Sequence, residues 1–220
     1  MMKKLLTILL FSLLGSGVFA QNFTGPDYGF RLGLTAHPNF GWYKPETGKS
    51  NGVNVGFAYG MMADFNFAEN YSIATGITIT TINGRTTEVG RNTAFADGSQ
   101  NRLFDLKYMM QYVEVPLTVK LKTDKMGESR WYGQFGLSND FKTKSRMDTR
   151  PDPVDKREIN QGTKFYRAGL IIGGGLEYDI ANHTSVVIGL TFNNGFTNIT
   201  SDSNRSVKNH YFGLNLGMFF

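Results

Sequence analysis

Seven charged side chains stand where the sequence otherwise places small residues: Arg31, Asp64, Glu114, Lys120, Arg167, Glu177 and Asp179. Each falls on the more polar side of an alternating stretch. Cations and carboxylates sharing an interior can pair into a network that fills the space and fixes strand register, because an unpaired buried charge costs several kcal/mol. They can also line a proton or ion path, or form a gate. A second group, Lys142, Lys144, Arg146 and Arg150, lies in "DFKTKSRMDTRPDPVDKREINQGT", residues 140–163. That stretch is dense in charge of both signs, as solvated loops are, and its cations suit phosphates. The third group is His37, His183 and His210. A hydrolase built on one of them needs a serine and an acid, or an aspartate, within reach. His210 has no such neighbour in sequence, and His37 precedes Pro38. Three scattered histidines and no cysteine give no metal-ligand spacing, so neither metal nor other cofactor is expected.

The elements that must position these residues read as strands. In "VNVGFAYGMMADFNF", Val53, Val55, Phe57, Tyr59, Met61, Phe65 and Phe67 share one face, while Asn54, Gly56, Ala58, Gly60 and Asp64 share the other. Strict alternation of this kind marks a strand with two unlike faces, and a run of about fifteen residues far exceeds the ~5–6 typical of soluble strands. Seven further segments repeat the pattern: "FRLGLTA", "YSIATGITIT", "YVEVPLTVKL", "RWYGQFGLS", "RAGLIIGGGLEYDI", "TSVVIGLTF" and the closing "NHYFGLNLGMFF". Pro116 interrupts the fourth of these eight and predicts a local bulge or bend, since proline removes a ladder donor. Gly173-Gly174-Gly175 lies inside an alternating strand and lacks a phosphate-loop spacing; a kink or close packing accounts for it better.

The links between segments alternate in length. Short turns, "AEN", "TDKMGES" and "ANH", alternate with long connections over 38–52, 84–107, 140–163 and 194–208. Short periplasmic turns and long outer loops are the rhythm of a transmembrane β-barrel. The expected fold is therefore all-β: a closed antiparallel eight-stranded up-and-down transmembrane barrel, with both chain ends on the periplasmic side. On this topology His37 and His210 fall near the outer rim and His183 by a periplasmic turn. A soluble barrel would show the same alternation with the faces exchanged. Gly, Ala, Ser and Thr dominate the non-greasy face here, which suits a narrow lumen better than contact with water.

The first twenty residues, "MMKKLLTILLFSLLGSGVFA", combine a basic start, a short apolar run and small residues at the end, the form of a cleaved secretory signal peptide. The expected division is thus a signal peptide over 1–20 and a barrel domain over 21–220. The formal charge of +5 falls to about +3 without Lys3 and Lys4. Neither that charge nor export suits nucleic acid.

"YMMQYVEVPLTVKLK", Tyr108 to Lys122, resembles a strand of the PorT-like outer-membrane β-barrel family of Bacteroidetes. "YSIATGITITTING", "FYRAGLIIGGGLEYDI" and "YFGLNLGMFF" resemble that family's other strands in order. The resemblance implies an eight-stranded barrel in the outer membrane of a Gram-negative bacterium, with no catalytic residues, and secretion-system components as partners. Outer-membrane lipid is an expected partner, with Lys142, Lys144, Arg146 and Arg150 meeting lipopolysaccharide. The terminal Phe220 resembles the signal read by the outer-membrane assembly machinery. The expected role is structural, binding or secretion-accessory, without catalysis. The alternative is an enzyme acting on lipid A or peptides at the outer rim.

Overall fold

The computed structural model describes residues 29–46, 48–90, 102–150, 154–159, 162–181, 183–201 and 206–220. The expected signal peptide, residues 1–20, lies outside them. Among the described residues nine strands follow in chain order: β1 (Phe30–Pro45), β2 (Lys49–Ala68), β3 (Tyr71–Gly90), β4 (Arg102–Lys122), β5 (Ser129–Arg150), β6 (Val154–Glu158), β7 (Tyr166–Ala181), β8 (Thr184–Gly195) and β9 (Val207–Phe219). Eight of them close into one antiparallel barrel, in the order β4-β3-β2-β1-β9-β8-β7-β5 and back to β4. The chain's last strand pairs with its first, from Gly33↔Phe219 to Pro45↔Val207. That closure leaves no strand edge in lipid, where an unpaired backbone group has no water to satisfy it. The short β6 leans on the outer end of β5 alone.

The faces settle which solvent surrounds the barrel. Val55, Phe57, Leu117, Phe135, Leu190 and Phe212 point outward and are about half exposed, whereas Asp64, Glu177, Asp140 and Arg167 point inward and are almost completely buried. A soluble barrel has the opposite arrangement. An apolar exterior around a charged interior requires hydrocarbon outside.

β3, β4 and β5 run for 20, 21 and 22 residues, about twice the ~9–11 that a tilted strand needs to cross the bilayer. Beyond the lipid the two faces trade chemistry. Outward positions on β3 become Thr81, Asn83 and Arg85, while the intervening Ile82 is wholly buried. Inside this extension Tyr43, Ile82, Leu106, Tyr108, Met110 and Met147 form an apolar cluster. The long connections expected over 38–52, 84–107 and 140–163 are therefore strand over most of their described residues, whereas 194–208 is strand only at its two ends. β1 and β2 reach Pro45 and Lys49, β3 and β4 reach Gly90 and Arg102, and β5 reaches Arg150 before β6 folds back.

Pro116 does not shift the register. β3–β4 pairing lapses between Thr75↔Leu117 and Thr78↔Glu114 and resumes in step. The Thr75 hydroxyl donates to the Pro116 carbonyl at 2.7 Å. The irregularity in β4 falls instead at Gln111/Tyr112, opposite β5. The three successive glycines of β7 pair in unbroken register with β5 and β8, so close packing, not a kink, explains them. Across from them, the Tyr132 hydroxyl occupies the space that a Cβ on Gly189 would need.

Candidate functional site

The lumen is built in layers, and the alternation places each charge. Arg31 on β1 stands directly opposite Asp64 on β2, so its guanidinium meets that carboxylate at 2.9 Å. It also reaches across the barrel to Glu177 on β7, at 2.5 and 3.1 Å. Lys120 on β4 completes the group, 2.8 Å from Asp64 and 3.4 Å from Glu177. Lys122 lies 3.6 Å from Asp64 and donates to Asn66 at 2.9 Å. The ring of Phe219 lies beneath Arg31 and Lys120, 4.4 and 5.0 Å from its centroid. This lower network spans the lumen near the periplasmic end. Below it, a vestibule of about 270 Å³ opens to that side.

Above the lower network lies an internal cavity of about 120 Å³, whose lining includes Thr78, Thr118, Thr191, Gln134, Asn215 and His37. An upper network roofs it. Arg167 on β7 is bonded to the Asp140 carboxylate, its cross-strand neighbour on β5. It also donates to Asn193 at 2.9 Å, to the Asn209 carbonyl at 3.0 Å and to the Asn209 side chain. Glu114 accepts from the Tyr211 hydroxyl through both oxygens, at 2.8 and 2.9 Å, and from Asn193 at 3.4 Å. The apolar cluster stands above this network. Ile199, from the β8–β9 connection, is buried in that cluster, and Thr200 bridges to Thr163.

Of the seven charges expected in the lumen, Arg31, Asp64, Glu177 and Lys120 meet in the lower network, while Arg167 and Glu114 meet in the upper one. Asp179 does not join them. It sits at the periplasmic mouth, 2.7 Å from Lys125 and 3.5 Å from Arg130. Burial raises its carboxyl, but the Lys125 hydrogen bond and charge, with Arg130, outweigh this and hold it below the usual range. Asp140, Lys122, Asn193 and Asn209 complete the networks and escaped the sequence reading. Asp140 opens the stretch that reads as the 140–163 connection, and Asn209 opens the closing strand; both continue the period-two pattern of their neighbours.

The outer basic group divides. The Lys142 ammonium donates to the Thr163 carbonyl and hydroxyl at 2.6 and 2.7 Å, so it ties β5 to the start of the returning chain and does not face lipid. Lys144 and Arg146 are exposed; the Arg150 side chain lies outside the described residues. His37 is not at the rim. It lies inside the barrel beside Thr35, 3.3 Å away, because β1 continues to Pro45. His210 packs at the outer end beside Trp42, with ring centroids 5.6 Å apart. Among the described residues no histidine is hydrogen-bonded to a serine or a carboxylate, and no cluster has the make-up of a metal site.

None of the curated proteins matches this chain in sequence. Solved structures of similar shape include Neisserial surface protein A, at 12% identity and a TM-score of 0.47, covering 87% of this chain and 97% of that one. OprG from Pseudomonas aeruginosa is similar at 11% identity and 0.47, over 90% and 98%. The outer membrane protease OmpT from Escherichia coli is similar at 8% and 0.41, over 91% and 99%. The family model for the outer membrane protein beta-barrel domain matches residues 19–201, which span all the barrel strands but the last. A closed barrel with a greasy exterior, a charged lumen and this sequence match crosses the outer membrane many times, and the chain belongs to the outer membrane protein beta-barrel domain family.

Proposed function

We propose that this protein is a sealed, non-catalytic barrel that works through its outer rim, in a structural or binding role, and passes no solute. The observation that carries this reading is the layered lumen. Two cross-barrel polar networks and an apolar cluster lie in series along the same narrow bore, as expected where eight strands leave an interior filled by side chains. No histidine among the described residues has the partners that hydrolysis needs, which supports the non-catalytic part. The test is single-channel recording of the refolded protein in a planar bilayer. A sealed barrel gives no discrete openings above the bare bilayer; reproducible channel steps would overturn the reading.

Two finer proposals accompany it. The Tyr108–Lys122 stretch supports placing the chain in the PorT-like branch, with a role accessory to secretion, to be tested by cross-linking to secretion components in the native envelope. Phe220 supports an address read by the assembly machinery. It is exposed, with its amide bonded to the Leu32 carbonyl. Deleting it should lower the outer-membrane level in cells while refolding into vesicles proceeds normally. Equal loss in both settings would mean that Phe220 serves the fold instead.

A further inference from the structure

The outer boundary of the lipid band is chemically uneven around the barrel. Where β1, β9 and β8 lie side by side, Phe40, Phe212 and Phe192 form one outward row by register, and Trp42 and His210 form the next row beyond it. The Trp42 ring stacks on Phe192 at 6.1 Å and contacts Phe212 at 5.5 Å. One pleat further out, Lys44 and Lys208 stand directly opposite each other, and both are exposed.

Like charges placed directly across two strands repel. Among the described residues no carboxylate lies within ion-pair distance of either lysine. Glu46, just past the end of β1, does not pair with Lys44. The pair therefore presents two cations from directly opposed backbone positions, immediately above an aromatic shelf, at the height where hydrocarbon gives way to headgroups. Interfacial aromatics mark that height, and basic side chains near it attract anionic lipid.

We propose that Lys44 and Lys208 together bind a phosphate of an outer-leaflet glycolipid, whose sugar and first acyl carbons lie against Trp42 and Phe212. The shelf distinguishes this site from any scattered surface lysine. It supplies an apolar seat for the chain of a lipid and none for a free anion, so the occupant is the lipid. The site lies on the outside of the barrel, and its occupancy does not depend on whether the lumen conducts.

Trp42 reports on its own neighbourhood once Trp131, at the opposite end of the barrel, is changed to Phe. The full barrel, folded in zwitterionic detergent, is titrated with bisphosphorylated lipid A, with the same lipid after removal of both phosphates, and with inorganic phosphate, following Trp42 emission. Saturable binding is expected with the phosphorylated lipid. K44A/K208A should weaken it about 30-fold, from the combined contribution of two interfacial cations, and K44R/K208R should restore it to within a few-fold. The dephosphorylated lipid should bind no better to the parent than the phosphorylated lipid binds to K44A/K208A. An unchanged midpoint in K44A/K208A, or equal binding of the dephosphorylated lipid, would overturn the proposal. Inorganic phosphate binding as tightly as lipid A would overturn the lipid as occupant. Heat-modifiable gel mobility checks that each variant is folded, and the arginine variant keeps the test decisive if the alanine variant is not.

Discussion

Removing Arg167 tests whether the upper network is a stability element or only a filler. Its side chain is 1% exposed and that of its partner Asp140 is fully buried, so neither can turn to water if the other is lost. At a normal charged contact of about 2.8 Å and an effective dielectric of about 20, the pair attracts by roughly 6 kcal/mol. Desolvation consumes much of that in the intact protein, but breaking a buried pair from one side typically costs about 3–5 kcal/mol. Arg167→Met should destabilise the barrel by that amount, since Asp140 would remain as a buried anion with Glu114 nearby. Asp140→Asn should cost a similar amount by stranding Arg167. The double variant removes both charges and should cost clearly less than the two single losses summed, with a coupling energy of about 3 kcal/mol between sites in direct contact. The assay is urea unfolding in phosphatidylcholine vesicles, followed by tryptophan emission and by the folded band on unheated gels. If Arg167→Met costs less than about 1 kcal/mol, or if the two single losses simply add, the pair is not held as a buried charge pair and the reasoning fails.

Two further outcomes follow from particular contacts. A Cβ on Gly84 would overlap the ring of Tyr43, which stacks on Tyr108 with centroids 5.1 Å apart and donates its hydroxyl to the Ile82 carbonyl. Gly84→Ala should therefore cost about 1–3 kcal/mol, as overpacking does; an unshifted thermal transition of the folded gel band would contradict this. Asp179 is held below its ordinary value near 3.8, because Lys125 and Arg130 outweigh its burial. A carboxyl depressed in the folded state adds stability above its ordinary value, and that contribution is lost as pH falls through the depressed one. Asp179→Asn should therefore weaken the barrel at pH 7 and make no difference in strong acid; a deficit constant with pH would refute the ion-pair explanation.

Alternation made the barrel legible because each strand within lipid has one face in hydrocarbon and one in a narrow lumen. The reading failed above the lipid for a physical reason. Thr81, Asn83 and Arg85 face water there, while Ile82 and Met110 face inward, so the pattern that identified the strands reverses its polarity. Read with the lower rule, such a stretch resembles an irregular connection. Asp140 is hidden for a different reason: the outward position before it is the polar Asn139, so the greasy face reads as stopping at Leu137, although Phe141 resumes it. His37 was displaced toward the rim because β1 runs to Pro45, further than its greasy face suggested. The charges themselves could be assigned to the lumen from their side of each strand. Which cation meets which anion could not, because pairs such as Arg31 with Glu177 depend on the bore and tilt of the closed barrel.

The spacing of those partners along the chain bears on how the barrel forms. Arg31 and Glu177 are 146 residues apart, and Glu114 and Tyr211 are 97 apart. An open sheet of β1 to β5 already carries Arg31, Asp64, Lys120, Lys122, Glu114 and Asp140, but it lacks Glu177, Arg167 and Tyr211. A half-inserted sheet would hold a local excess of cations at the lower network and of anions at the upper one until β7 and β9 arrive. Contacts of such long range are slow to form, because the loops they close must lose their entropy first. The final pairing of β9 with β1 therefore completes the backbone ladder as the last charge partners meet. Partly zipped forms should be scarce at equilibrium, so insertion should proceed as a single cooperative step whose rate is set by the meeting of the chain's two ends.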